Sequence, residues 1–545
     1  MVVKQRRHFD VWPPGLPYSL PACEHSVFQN LEETAGDTPD RTAIWYYGQS
    51  ITYRRLHDEV LRLAGFLHQE LEVCANDRVA IYLQNSPQFF VAYYAILAAN
   101  AVIVPVNPMS RRAELRHIVQ DSGARAIIYG SELNEEVAAV EAECGHPGLV
   151  YADYQDYAAE GDDWSFPNEL RRSSTQSLGT SWVDALTAGY APPKHDRRPQ
   201  DWCIIPYSSG TTGQPKGCLH THASVNSVIF AYPKWVGVEA GSRILATLPL
   251  CHVTGMQHSM NLPILTRSTA YLMSRWNPNL AARIIEQMKI EHWRSITTMM
   301  IDFLAMPGIE TKDLSSLKTI GGGGAQMPAG VAQKMADLIG LDFVEAYGLS
   351  ETMAPTHMNP PQAPKKQCLG IPIFDVDSRI IDPNELTELE PNETGEIVTH
   401  GPQVFLGYWQ RPEETDAAFV VLDGKMFLRT GDIGYMDEEG YFFFVDRLKR
   451  MINVSGLKVW PAEVEAILHS HPDIKEACVV ADYHERTGES VRAVIVPRRN
   501  SNSIDLEELK EWCRQNMAAY KLPKAFEIRE SLPRSGAGKV LWRKL

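Results

Sequence analysis

The sequence predicts an α/β protein, with a large N-terminal domain of parallel-rich sheets flanked by helices and a small α+β domain at the C-terminal end. Three observations carry this expectation. Short β-branched runs alternate with helix-length stretches over most of the chain, the pattern of parallel sheets with crossover helices. Near residue 430 the texture changes to short strands joined by glycines and acidic turns. The chain also has 545 residues, more than one domain holds at roughly 150 residues apiece.

Taken in order, the first thirty residues are rich in proline (VWPPGLPYSLP) and are expected to run extended over the surface. Residues 78–83 (RVAIYL) and 125–129 (RAIIY) have the length and content of buried strands, with helix-like stretches before and between them. Residues 89–106 form the longest apolar stretch, but Asn100 interrupts it and Pro87 and Pro105 stand near its ends. A buried helix and strand fit it better than a membrane span, which needs about 20 apolar residues in succession. Residues 151–200 are polar and are expected to make a surface excursion, and further strands are expected at 203–207, 244–248, 317–320 and 343–346.

From residue 424, GKMFLRTGDIGYMDEEGYFFFVDR predicts short strands. A helix at 461–469, strands at 476–482 and 491–497, and a helix near 506–517 complete the chain. Leu506, Leu509, Cys513 and Met517 give that last helix one apolar stripe. The domain border is placed between 447 and 448, giving domains of 1–447 and 448–545.

Composition narrows the function. The formal charge is −15, and no lysine or arginine block is long enough to track a phosphate backbone. Nucleic acid and an anionic membrane surface are therefore disfavoured as partners. Nine cysteines without framework spacing point to reduced thiols. The opening MVVKQRRHFD has no apolar stretch behind its basic residues, so a cytoplasmic location without a transmembrane segment is expected.

The strongest chemical signal is residues 207–217, YSSGTTGQPKG, directly after an apolar run. Ser208, Ser209, Thr211 and Thr212 place hydroxyls close together, Gly210 and Gly213 let backbone amides turn inward, and Lys216 adds a point charge. These are the components of a phosphate cradle. The run is not a Walker motif, because Lys216 lies between Pro215 and Gly217 and lacks the following hydroxyl. A flexible Ser/Gly loop is the plain alternative, and the Pro-Lys-Gly end behind a strand fits it poorly. The GGGGA run at 321–325 would let a ligand approach the backbone closely, but Met327 occupies the third glycine place of a dinucleotide fingerprint. His220 and His222 have no carboxylate or further histidine close by in sequence to complete a metal site, and are read as the start of the helix after the loop.

SSGTTGQPKG resembles the signature of the adenylate-forming superfamily, which holds acyl-CoA synthetases, peptide-synthetase adenylation domains and firefly-type luciferases. LPLCHVTG (248–255), GGGGA, YGLSE (347–351), TGD (430–432), DRLKRMINVSGLKV (446–459) and PRSGAGK (533–539) follow in the family's order. The resemblance spans residues 30–545 and is closest to ligases joining fatty or related carboxylic acids to CoA. It implies ATP, AMP, Mg2+ and coenzyme A as cofactors or co-substrates, and a small carboxylic acid as substrate.

What the resemblance assigns can be matched to what the chemistry needs. Activating a carboxylate with ATP requires the triphosphate charge to be neutralised and the α-phosphorus held in line with the attacking oxygen. Glu351 beside the cradle suits magnesium, a hard cation that takes oxygen donors, and Thr211 is implied as the second ligand. Tyr347 is implied to offer a flat face to adenine, within a segment that also gives Glu345, Ala346, Gly348 and Ser350; alone, such a tyrosine is more often core. Gly323, Gly324 and Ala325 are implied against the nucleotide. Asp432 is implied to accept from the ribose hydroxyls, and Arg447 to contact ribose and phosphate; an isolated TGD is otherwise a turn. Lys539 is implied to reach the carboxylate and the α-phosphate region as the adenylate forms. Without the preceding PRSGAG it would read as a solvated terminal lysine. His252 matches a histidine near the mouth of the acid pocket, with a satisfied core histidine as the competing reading because its neighbours are apolar.

Lys449 falls where the family has its hinge, about which the small mobile domain swings. One orientation would bring Lys539 to ATP, and the other would bring the loop of Gly456 and Lys458 to the adenylate and admit the pantetheine thiol. The chain ends six residues after Lys539, so free CoA is expected as acceptor. CHVT (251–254) lacks the acid that an amino-acid-activating relative would need. By resemblance the acid pocket draws on 252–260, 297–303, 320–325 and 345–354, where Met256, Met260, Met299, Met300, Phe303 and Met353 suit an alkyl chain. No arginine or lysine occurs in those stretches, which speaks against a dicarboxylate. A medium- or long-chain fatty acid is therefore expected. The alternatives are a short branched, hydroxy or aromatic acid, a separate acyl-carrier protein as acceptor, or a nucleotide-binding protein without catalysis. A homodimer is left open.

Overall fold

The computed structural model describes residues 7–161, 164–171, 177–208, 214–324, 326–454, 457–484, 488–498, 504–534 and 540–545. Contacts divide the chain into two units. The first holds Met1–Asp377, Thr399–Leu428 and Glu439–Tyr441; the second holds Ser378–Val398, Arg429–Glu438 and Phe442–Leu545. Packing thus groups 378–398 and 429–438 with the C-terminal residues. The border between 447 and 448 rests on the change of sequence texture and on the size expected of a C-terminal domain.

Two large sheets build the first unit. One runs in the order Ile371–Pro372, His357–Met358, Phe343–Tyr347, Thr319–Gly323, His292–Ser295, Arg243–Ala246, Thr269–Leu272, Thr42–Tyr46, Gln49–Thr52. Its interior is parallel, with antiparallel pairs at the two ends. The other centres on Arg78–Tyr82, flanked in parallel by Val102–Pro105 and Ala124–Gly130, and extends through Trp202–Ile204 to the antiparallel Lys216–Thr221 and Gly407–Tyr408. The helix Pro87–Ala98 is buried along its whole length, in one core with Ile44 and Leu245 of the first sheet and Val79, Ile81 and Ile103 of the second. A helix enclosed on all sides reads as a continuous apolar run, which explains the stretch at 89–106.

Three expectations are corrected. The proline-rich N-terminal segment does not merely run extended over the surface: Arg7–Val11 makes a 3-10 turn, and Trp12 is buried with Trp235 and Phe374 at ring distances of 4.8 and 5.4 Å. Buried Trp12 and Pro13 anchor a segment whose next prolines, Pro14 and Pro17, are exposed. Residues 151–200 are likewise partly built in, since Thr180–Ser181 extends the second sheet and Trp182 is buried, its indole donating to the Tyr157 hydroxyl at 3.0 Å. The strand expected at 203–207 is split into Trp202–Ile204 and Tyr207–Ser208, because Pro206 cannot donate to a ladder.

In the second unit, Ile474–His484 and Gly488–Pro497 form a long antiparallel pair, joined by Ile452–Val454, Leu457–Val459 and the parallel Ala525–Ile528. The helices Pro461–His469 and Leu506–Asn516 contribute Val464, Leu468, Leu509 and Cys513 to a core with Val479, Val491 and Ile495. Among the described residues, no helix is long and apolar enough to cross a membrane.

Candidate active site

The phosphate-loop motif begins and ends on paired backbone. Ser208 stands opposite Lys216 and Tyr207 opposite Gly217 in an antiparallel pair, so the chain reverses between them. Ser209, Gly210, Thr211, Thr212 and Gly213 lie outside the described residues. The base of this reversal is fixed by Asp121. Its carboxylate accepts from the Tyr207 hydroxyl at 2.7 Å and from Arg411 at 2.8 Å, while its carbonyl accepts from the Trp409 indole at 3.1 Å. Gly217 has no room for a side chain, since a Cβ there would stand 2.5 Å from Ile205.

Lys216 is turned inward, with its Nζ 3.7 Å from Glu414 and 5.2 Å from the centre of the Tyr408 ring. The Tyr408 hydroxyl donates to Glu351 Oε1 at 3.0 Å. Lys216 and Glu351, far apart in sequence, are therefore joined through one tyrosine. Sequence reasoning missed Tyr408, because it lies on a strand of only two residues, Gly407–Tyr408, too short for any period to show. Burial, then the Glu351 charge, raises the Tyr408 pKa well above its ordinary value, keeping it a hydrogen-bond donor.

Glu351 sits on the 3-10 turn Ser350–Thr352. Its carbonyl accepts from Phe405 N at 2.9 Å, and the Ser350 carbonyl stands 2.8 Å from the buried His220 ring. Met353 and Ala354 follow with φ of 51° and 41°, the left-handed region that side chains disfavour. Such strain clusters where a fold holds a group for chemistry. Gly348 allows the turn to close, as its Cβ would lie 2.7 Å from the Ala354 backbone. His220 ends up on the strand Lys216–Thr221, not on the helix, while His222 begins the helix His222–Val236. Both are buried and held neutral, with pKa values lowered by burial to about 4 and about 3.

The glycine run divides its work. Gly321, Gly322 and Gly323 are crowded by Arg294, Ser295 and Ala346, with a Cβ reaching 1.8, 1.8 and 2.2 Å, so strand packing requires them. Gly324 has φ +86° and no described atom within 4 Å of a Cβ, which leaves the backbone approachable there. Ala325 lies outside the described residues. Ala346 and Tyr347 end the strand Phe343–Tyr347, and the half-buried Tyr347 ring lies 5.6 Å from His357. Glu345 accepts from Met327 N at 3.2 Å, and burial pushes its carboxyl up to about 7.

His252 is exposed just before the short helix Val253–Gly255, so the core-histidine reading fails. Behind it, Met256–Asn261 forms a π-helical turn, a form that recurs at functional sites. Met256, Met260, Met299, Met300, Phe303 and Met353 are all buried. Arg294, three residues before the 297–303 stretch, changes the expected charge of this region. Its guanidinium lies against Gly321 and 4.7 Å from the Tyr232 ring, which in turn is 4.1 Å from His258.

The remaining predicted residues lie in the second unit. Asp432 and Arg447 are register partners on the strands Lys425–Met436 and Phe442–Arg447, with an ion pair of 2.5 Å. Lys449 is exposed on the 3-10 turn Leu448–Arg450. Asp446 holds that turn to the next helix, accepting from Ala462 N at 2.6 Å with Arg450 3.5 Å away. Lys458 belongs to the strand Leu457–Val459, whereas Gly456 and Lys539 lie outside the described residues. Among the described residues, no three His, Cys, Asp or Glu side chains gather as a metal site. Magnesium held largely by phosphate oxygens and water needs only one or two carboxylates, and Glu351 at the phosphate hairpin fits that demand.

Comparison with known proteins shows the family of the chain. Residues 31–409 match the model of the AMP-binding enzyme family, and residues 463–539 match the AMP-binding enzyme C-terminal domain. A long-chain-fatty-acid–CoA ligase of Bacillus subtilis (strain 168) is 32% identical over 550 residues, covering 98% of this chain and 96% of the relative. A feruloyl-CoA synthase of an Amycolatopsis species is 34% identical over 511 residues, covering 92% and 95%. Among solved structures, ATP-bound MatB from Rhodopseudomonas palustris superposes with a TM-score of 0.84 at 25% identity, covering 96% of this chain and 98% of the other. A Mycobacterium tuberculosis fatty acyl CoA synthetase gives 0.75 at 26%, covering 95% and 97%.

Proposed function

Since the chain belongs to the AMP-binding enzyme family, as an AMP-forming acyl-CoA synthetase, we propose that it joins a small carboxylic acid to coenzyme A in two steps. In the first, an acid oxygen attacks the α-phosphorus of ATP and pyrophosphate leaves. In the second, the CoA sulfur attacks the acyl carbon, the thiol proton is lost and AMP leaves. The observation that carries this reading is the Lys216–Tyr408–Glu351 linkage, which ties the phosphate hairpin to the YGLSE turn. Lys216 and Ser208 hold phosphate charge, Tyr408 orients the Glu351 carboxylate, and Gly324 leaves room for the nucleotide. When bound at Glu351 and Thr211, Mg2+ supplies positive charge to the phosphates. Lys539 neutralises charge during adenylation, and Lys449 is the pivot that exchanges it for the Gly456–Lys458 loop. His252 stands at the mouth of the acid pocket.

The acid is a finer matter. The names of relatives favour a long-chain fatty acid or an aromatic acid, and the buried methionines suit an apolar body. Arg294 favours an acid with a polar far end over a plain alkyl chain. Free CoA remains the acceptor of choice over a carrier protein, and the cytoplasm the place of action. Product analysis tests the reaction: ATP, acid and CoA should give AMP, pyrophosphate and thioester in equal amounts. ADP with inorganic phosphate would refute the reading.

A further inference from the structure

We infer that the acid carries a second carboxylate, bound by Arg294 with His258 and Tyr232 beside it; this rests on the acid–CoA ligase reading. Arg294 lies on His292–Ser295, where alternation sends Trp293 towards Thr247 and Trp276 and Arg294 to the opposite face. The residue is 5% exposed. Its Nη1 donates to the Val344 carbonyl at 3.4 Å, and its Nη2 has no hydrogen-bond partner. Among the described residues no carboxylate pairs with it. His258, 4% exposed, has an unpartnered Nδ1 in the same cluster. Burial lowers the Arg294 pKa to about 9, as expected of a cation without a counter-charge.

An uncompensated buried guanidinium is costly, and a fold keeps one only where something else supplies the negative charge. The cluster joins two of the four stretches expected to line the acid pocket: His258 belongs to 252–260, and Gly321 to 320–325. Gly321 is also what makes room for it, since a Cβ there would stand 1.8 Å from Nη1. A guanidinium fork matches the two oxygens of a carboxylate. The buried Met256, Met260 and Met300 can pack along the methylenes between the reacting carboxylate and the distal one. An acid ending in methyl would leave Arg294 buried and unpaired, so the site discriminates against it.

Pyrophosphate release at saturating ATP and CoA is the test, using straight-chain acids from three to sixteen carbons in pairs that end in methyl or in carboxylate. At its best length the diacid should exceed its methyl-ended partner in kcat/KM by ~100-fold or more. Arg294→Met should erase that advantage while binding of a fluorescent ATP analogue stays unchanged, and Arg294→Lys should keep part of it. If Arg294→Met fails to fold, the wild-type profile and Arg294→Lys decide. A wild type that prefers the methyl-ended acid at every length overturns the inference and leaves the ligase standing. A diacid preference unchanged in both variants overturns the role of Arg294. No pyrophosphate release with any acid overturns the ligase reading, and this inference with it.

Discussion

Glu351 is held by its neighbours on both sides: the Tyr408 hydroxyl meets its carboxylate and Phe405 N its carbonyl, while His220 faces the carbonyl before it. Glu351→Gln keeps the shape but removes the charge offered to magnesium, so turnover should fall by about 100-fold or more with a higher magnesium requirement. Tyr408→Phe removes only the orienting hydroxyl, and should cost several-fold in kcat with ATP binding retained. Steady-state rates across a magnesium titration check both, and a near-normal Glu351→Gln would remove it from the site. Glu351 and Lys216 were legible because their motifs are written in consecutive residues. Tyr408 and Arg294 were not, because each acquires its meaning only from residues far away in sequence.

At the scale of elements, apolar runs located most strands well. Residues 78–83 became Arg78–Tyr82, 343–346 became Phe343–Tyr347, and 461–469 became the helix Pro461–His469. The two-residue strands Tyr207–Ser208 and Gly407–Tyr408 escaped, since pairing and not pattern defines them. The turn Leu448–Arg450 is held by Asp446 and by the ion pair of Arg450 with Glu465, while Lys449 is exposed between them. Lys449→Pro should restrict φ at the proposed pivot, so thioester formation from supplied acyl-adenylate should fall more than adenylation. Lys539→Ala should do the reverse, losing adenylation while sparing the thioester step. Separate assays of the two half-reactions check the pair, and equal loss of both steps in each folded variant would contradict a pivot.

The whole molecule carries its own pH dependence. Burial lowers His220 and His292 to about 4, and His222, His258 and His357 to about 3. These groups are neutral in both states above the unfolded value near 6.5, so their contribution is fully present there. As pH falls below 6.5 the unfolded chain binds protons that the folded chain refuses, and stability is lost progressively towards 3. Glu345 acts in the opposite sense, its stabilisation present below 4.5 and lost as pH rises through 7, and burial raises Glu32, Glu132 and Asp446 likewise. Burial also lowers His57 and His195, so seven imidazoles stand against these four carboxyls. The thermal midpoint should therefore drop steadily from pH 7 to 4.5, whereas a flat profile would mean that these imidazoles are solvated. At this scale the α/β class followed from the alternation of runs, but the enclosure of Pro87–Ala98 between two sheets was visible only in three dimensions.

In the proposed reaction the acid is activated as an adenylate before any thiol is needed. Exchange of labelled pyrophosphate into ATP, measured without CoA, reads that first step alone. The expected result is exchange that requires the acid and magnesium and that gives way to net thioester and AMP when CoA is added. Exchange without acid, or none with any acid while thioester still forms on adding CoA, would contradict it.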